Sequence, residues 1–152
     1  MTDDDLVRVV GGLADEMLGA PERAARIAAA IRAHGGYRWV GVYEVTDTDV
    51  CLLGYAGPGA PAHPRFPRTQ GLTASAVATG APVIVDDVTA DSRYLTAFGT
   101  TRSEMIVPVL DTSGRVVGTI DVDSEAVAAF VPGHRLMVER CAAVIGGLYR
   151  TW

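Results

Sequence analysis

At Gly35-Gly36 the hydrophobic period of this chain changes from the helical value to the alternating one of strands, and it reverts only near Pro132. A chain patterned in this way must carry helices at both ends and strands between them. Before the change, Leu6, Val9, Val10, Leu13 and Met17, then Ile27, Ala30 and Ile31, recur at helical spacing across Asp5 to His34. Gly19-Ala20-Pro21 interrupts them, so the pattern predicts two helices, the second closed by Gly35-Gly36.

After the change come two β-rich runs, Trp39 to Val45 and Val50 to Tyr55, separated by the polar turn Thr46 to Asp49. A second pair, Met105 to Leu110 and Val116 to Asp123, is joined across Asp111-Thr112-Ser113-Gly114. Between the hairpins lie a Pro-rich loop from Gly57 to Thr69, a small-residue helix from Leu72 to Thr79, a short strand from Pro82 to Val85 and a polar connection from Asp86 to Arg102. The last helix starts at about Pro132, with Leu136, Val138, Cys141, Val144, Ile145 and Leu148 expected as its buried side. Hairpins without alternating crossovers indicate an α+β domain: an antiparallel sheet flanked by N- and C-terminal helices. The 152 residues suit one compact domain, with helices over 1–36 packing on a body over 37–152, and leave no room for a sensor joined to an output domain.

Charge narrows the chemistry. All 13 basic residues are arginine, and 18 acidic ones give a net charge of −5. A chain without lysine cannot form a Schiff base, bind pyridoxal phosphate through one or build a phosphate loop with one. Its acidic balance argues against nucleic acid as a partner. Cys51 and Cys141 have no metal-type spacing and read as reduced thiols. The acidic start Thr2-Asp3-Asp4-Asp5 is unlike a signal peptide, and no apolar run is long enough to span a bilayer, so a cytoplasmic location and no membrane partner are expected. No cofactor is expected, and no metal, since no compact ligand motif is present.

Several strings are similar to those of a known family. Pro82 to Val88, Asp91-Ser92-Arg93-Tyr94, Ser103 to Val109 and Gly118 to Ser124 resemble a GAF domain. Trp39-x-Gly41-x-Tyr43, Ser103-Glu104 and Asp121-x-Asp123-Ser124 resemble, more narrowly, its free methionine-(R)-sulfoxide reductase branch, over roughly residues 37 to 150. The resemblance implies a GAF-type sheet, a homodimer, and a closed pocket for a free amino acid lined by Trp39, Tyr43, Glu104, Asp121 and Asp123. In that pocket carboxylates take the ammonium group and aromatics enclose the side chain. The family's cysteine positions fall, by gapless alignment back from Glu104, on Ala97, Thr73 and His63. None carries sulfur, and thiol-dependent sulfoxide reduction needs both an attacking thiolate and a resolving cysteine.

The residues have readings of their own. Asp121 and Asp123 are two apart on a strand and share a face, as do Trp39 and Tyr43. The acids fit the solvent side of an edge strand or a cationic ligand's site, and the aromatics fit a plain core equally well. His63 is either an exposed loop imidazole or an acid/base group beside a pocket. Arg65, Arg68 and Arg102 flank the presumed pocket, either to hold a substrate carboxylate or to balance acidic surface.

Three functions are weighed on this basis. One is a cysteine-independent enzyme acting on a small amine or amino-acid-like substrate, with His63, Glu104 and Asp121 in acid/base roles. Another is a non-catalytic ligand-sensing module that signals through a partner. The third is residual reductase activity.

Overall fold

The computed structural model describes residues 1–150. Two helices open the chain, α1 (Asp3–Ala14) and α2 (Ala20–Gly35). The body follows as β1 (Trp39–Val45), β2 (Asp49–Ala56), β3 (Arg65–Pro67), α3 (Thr73–Thr79), β4 (Val83–Val85), β5 (Ser103–Leu110), β6 (Val116–Ser124) and α4 (Pro132–Val144). All strand pairs are antiparallel, in the order β3-β2-β1-β6-β5-β4. The α+β expectation holds.

The helix ends follow from local chemistry. Thr2 and Asp5 form a reciprocal capping box at the start of α1. Pro21 sits in the first turn of α2, where its missing N–H costs nothing, and Gly36 ends that helix in the left-handed conformation at φ 67°. Between the helices, buried Arg23 donates from Nε to the Leu18 carbonyl at 2.9 Å and from Nη1 to the Ala14 carbonyl. It thereby satisfies the Ala14 carbonyl that the end of α1 leaves free and one carbonyl of the connection to α2.

One face of the sheet is packed by α1, α2 and α4. Val40, Val42, Met105, Val107, Val109, Ile120 and Val122 point to that side and meet Leu6, Val10, Ile27, Ile31, Val138, Cys141 and Ile145. α2 lies so close to β2 that a Cβ on Gly54 would fall 2.5 Å from the Ala25 nitrogen. Glycine at that position is what lets helix and sheet touch.

Three sequence expectations need correction. Met17 lies beyond α1 and is fully exposed, because the helix ends at Ala14. Leu136 and Val144 are exposed while Met137 and Ala142 are buried, since the apolar stripe of α4 is centred on Val138, Cys141 and Ile145. The Pro-rich loop contains the edge strand β3, where Pro67 faces Asp49 of β2. An edge tolerates proline, whose ring nitrogen cannot join a ladder on both sides.

Candidate functional site

The opposite face of the sheet carries the polar residues. The register sets Trp39 against Asp123, Gly41 against Asp121 and Tyr43 against Thr119, and on the other side of β6 sets Glu104 against Asp123. Residues directly opposite in a ladder share a face, so Tyr43, Glu104, Asp121 and Asp123 converge. β6 lies between β1 and β5, an interior strand, which removes the edge-strand reading of its acids. Glu104, Asp121 and Asp123 are exposed by only 7%, 8% and 1%.

A roof of loops covers this face. Leu72, Ala76, Val83, Val85, Val88 and Ile106 form one small apolar cluster over it, and Trp39, Tyr43, Val45, Val50, Val77 and Val116 form another. The Pro-rich loop and the connection before β5 are joined by a hydrogen bond from the Ala62 N–H to the Ala97 carbonyl, 3.1 Å. Beneath the roof lies a small cavity bounded by Tyr43, His63, Thr73, Tyr94, Ala97, Glu104 and Asp121, together with Phe66, Gly71, Leu72 and Leu95. Its free volume is about 30 Å³, room for a water or an ammonium group.

The electrostatics of the cavity are unusual. One ligand oxygen from each of Glu104, Asp121 and Asp123 can be chosen so that all lie within 4.8 Å of one another. Burial pushes the Glu104 carboxyl up to about 8, and the neighbouring Asp123 charge adds to this, while a hydrogen bond with Asp121 partly opposes it. Asp121 and Asp123 are also held well above the usual carboxylate range, first by burial and then by each other's or Glu104's charge. Tyr43 is raised by the same burial and the same three acids. Thr101 Oγ1 donates to Asp123 Oδ2 at 3.3 Å, yet Oδ1 of Asp121 and Oδ1 of Asp123 are buried without a partner. Buried acceptors without donors carry a desolvation cost that a cationic ligand would remove. The set suits an ammonium group or a hard divalent cation.

No arginine lines the cavity among the described residues. Arg65 pairs with Asp49, Arg68 donates to the Thr46 carbonyl and Arg102 donates to the Thr101 and Gly99 carbonyls. The expectation that these three flank the pocket is therefore corrected: local hydrogen bonds direct each of them elsewhere. Arg38 is the cation whose charge lowers Asp123 slightly, and its guanidinium is paired with Glu125.

Tyr43, Glu104, Asp121 and His63 all line the cavity, and His63 is solvent-exposed. Trp39 does not line it. Its ring lies over Gly41, where an added Cβ would sit 2.3 Å from the indole, and stacks on Tyr55 at 5.9 Å. The indole N–H donates to the Gly59 carbonyl at 3.0 Å, and Phe98 meets the ring edge-on at 5.3 Å, so Trp39 holds the roof. Asp123 is reached through Asp121 and Glu104 and is itself absent from the wall. Thr73, Ala97 and His63 all border the cavity, whereas Cys51 lies on β2 and Cys141 is buried against the helices. Phe66, Leu72, Tyr94 and Leu95 were not foreseen as wall residues. Tyr94 had a signal, its place in the string Asp91-Ser92-Arg93-Tyr94, and the others had none.

Comparison with known proteins gives the same direction. A GAF domain family model matches residues 20–147. GAF domain-containing protein A of Dictyostelium discoideum is 29% identical over 107 residues, covering 70% of this chain and 66% of that protein. The chain spans from 52% to 66% of the length of the curated relatives it matches. A solved free methionine-R-sulfoxide reductase of Neisseria meningitidis, in complex with its substrate, is 29% identical with a TM-score of 0.84, over 97% of this chain and 87% of that one. The type II free methionine-R-sulfoxide reductase of Thermoplasma acidophilum is 30% identical with a TM-score of 0.76, over 86% of this chain and 94% of that one. No helix among the described residues is long and apolar enough to cross a membrane.

Proposed function

The chain belongs to the GAF-domain family, and on that premise we propose that it binds the ammonium group of a small amine or amino-acid-like ligand in the cavity under its loop roof. The observation that carries this reading is the trio Glu104, Asp121 and Asp123, three clustered, buried acid side chains with two orphaned oxygens and no arginine in the cavity wall among the described residues. An alkylammonium offers N–H donors to Glu104 and Asp121 at the wall, with Asp123 directly behind them, and supplies the positive charge that burial has withheld from the three. The likeness to free methionine-R-sulfoxide reductases supports the same class of ligand, while Ala97, Thr73 and His63 supply no thiolate for their redox step.

A second reading is favoured by one specific observation. Glu104, whose carboxyl burial pushes up to about 8, shares the cavity with the imidazole of His63, so the ligand would meet an acid and a potential base together. On that reading the protein is a cysteine-independent acid/base enzyme, and without it the protein is a ligand sensor.

Calorimetric titration of the full chain with free amino acids, including methionine (R)-sulfoxide, with small amines and with Mg²⁺ or Ca²⁺, each mixture followed by mass spectrometry, tests both readings. Binding of an amine or amino acid that disappears in Asp123→Asn establishes the site. A new product that disappears in His63→Ala, with affinity retained, establishes the enzyme. Heat from the metals alone would replace the ammonium reading by a cation site.

A further inference from the structure

The outward side of α4 carries features that the core does not use. Met137, Val138, Cys141 and Ala142 turn the apolar stripe of this helix onto the sheet, yet Leu136 points the other way and is 53% exposed. It does not stand alone. Val131, 57% exposed, and exposed Pro132 lie about one turn before it, and exposed Ala143 and Val144 follow about two turns after it. A single apolar side chain on a surface is ordinary, but a row of them along one helix is surface for a partner to cover.

Two charged residues flank this row. Arg135 and Glu139 stand four apart on one side of Leu136, and neither makes an ion pair or a side-chain hydrogen bond among the described residues, whereas Arg140 is held by Asp4 of α1. An antiparallel pair of α4 helices, related by a twofold axis level with Met137, sets residues equally far before and after that point beside each other. Arg135, two residues before it, then comes level with Glu139 of the second copy, two residues after it, and the symmetry repeats the pair. Leu136 meets the second copy's Leu136 with an offset of about 3 Å along the helix, and Val131 and Pro132 come level with the small side chains of Ala142 and Ala143. One operation thus matches both the unlike charges and the apolar surface, which is what self-complementarity requires.

We infer that α4 is the docking surface for a second copy of this chain, through an antiparallel helix pair built on Leu136 and closed by two Arg135–Glu139 ion pairs. Contact along one helix is small beside a standard interface, so the dimer is expected to dissociate at about 10–100 µM. It stands whatever the cavity binds, since α4 packs on the opposite face of the sheet.

Sedimentation equilibrium of the full chain over about 1–500 µM should pass from the mass of one chain to that of two. Leu136→Glu should weaken association at least about tenfold, as should Arg135→Glu and Glu139→Arg, each of which sets like charges across the axis twice. The decisive sample carries Arg135→Glu and Glu139→Arg together. There the unlike pairs are restored with their signs exchanged, and the dissociation constant should return to within about threefold of the wild-type value. These side chains lie outside the core, so circular dichroism should show the helices intact in every variant. A single-chain mass persisting at about 500 µM overturns the inference. So does a dimer that Leu136→Glu leaves unchanged, which places the contact elsewhere, or a double swap no tighter than the single ones, which shows that Arg135 and Glu139 do not meet.

Discussion

Ile120 and Asp121 are consecutive residues of β6, both buried, and they face opposite ways. Ile120 looks into a dry core where three helices press apolar side chains onto the sheet, and every contact there lowers the free energy of the folded chain. Asp121 looks into a cavity where three carboxylates are stripped of water and crowd one another. One side of the sheet supplies stability and the other consumes part of it. Such division is what a binding site requires, because free energy left unrelieved in the ligand-free state becomes available when the ligand arrives.

Substitutions on the two faces should separate them most clearly. Ile120→Ala should cost about 2–5 kcal/mol, read as a lower denaturation midpoint with an unchanged slope. Its neighbour should behave with the opposite sign. Asp121→Asn sets an uncharged amide with two N–H donors against the acceptors of Glu104 and Asp123, so it should stabilise the ligand-free protein by about 1–2 kcal/mol, a rise of roughly 2–8 °C in melting temperature, while abolishing amine binding. A destabilised Asp121→Asn would show that the acids are already compensated, and the contrast between the faces would collapse.

pH sharpens the comparison further. In the unfolded chain Glu104 loses its proton near its ordinary value of 4.5, but in the folded protein it keeps that proton up to about 8. Within this window the native state binds more protons than the unfolded state, so stability must fall as pH rises. Asp121 and Asp123, shifted in the same direction, steepen the fall. Melting temperature measured from pH 5 to pH 8 should therefore decline, and decline less in Glu104→Gln. Amine affinity should move the other way and tighten toward pH 8, because the ligand must displace those protons. A flat profile in the wild type would mean that the acids are ionised throughout.

The smallest effect is expected at the rim. His63→Ala should change stability by no more than about 0.5 kcal/mol, since the side chain is exposed and makes no hydrogen bond among the described residues. Any larger loss in a melting experiment would place the imidazole within the roof's packing.

What the amino-acid string discloses depends on the range of the interaction involved. The period of two along β1 and β6 was enough to put Trp39 with Tyr43, and Asp121 with Asp123, on shared faces, because that geometry is local. The meeting of Glu104 with Asp123 depends on the pairing of β5 with β6, and the GAF resemblance pointed to it where periodicity could not. Arg65, Arg68 and Arg102 were misplaced because side-chain direction on a loop depends on which carbonyls the fold brings near. The roof was illegible for the same reason. Its joining bond links Ala62 to Ala97 through backbone atoms, which no side-chain pattern encodes. In α4 the stripe was found but set too wide, as a helix with two flanking apolar residues leaves the centre of its face ambiguous until the sheet beneath it is known.

Trp39 has a further use that follows from its position rather than its chemistry. The indole is 1% exposed, tied through its N–H to Gly59 of one roof loop and edged by Phe98 of the other. A ligand that parts those loops on entering would break the bond and let water reach the ring. The chain has two tryptophans, Trp39 and Trp152, so in a Trp152→Phe protein all indole fluorescence comes from this one place. The emission maximum then becomes an optical gauge of the roof, moving to the red as it lifts and returning as it closes, with no label attached.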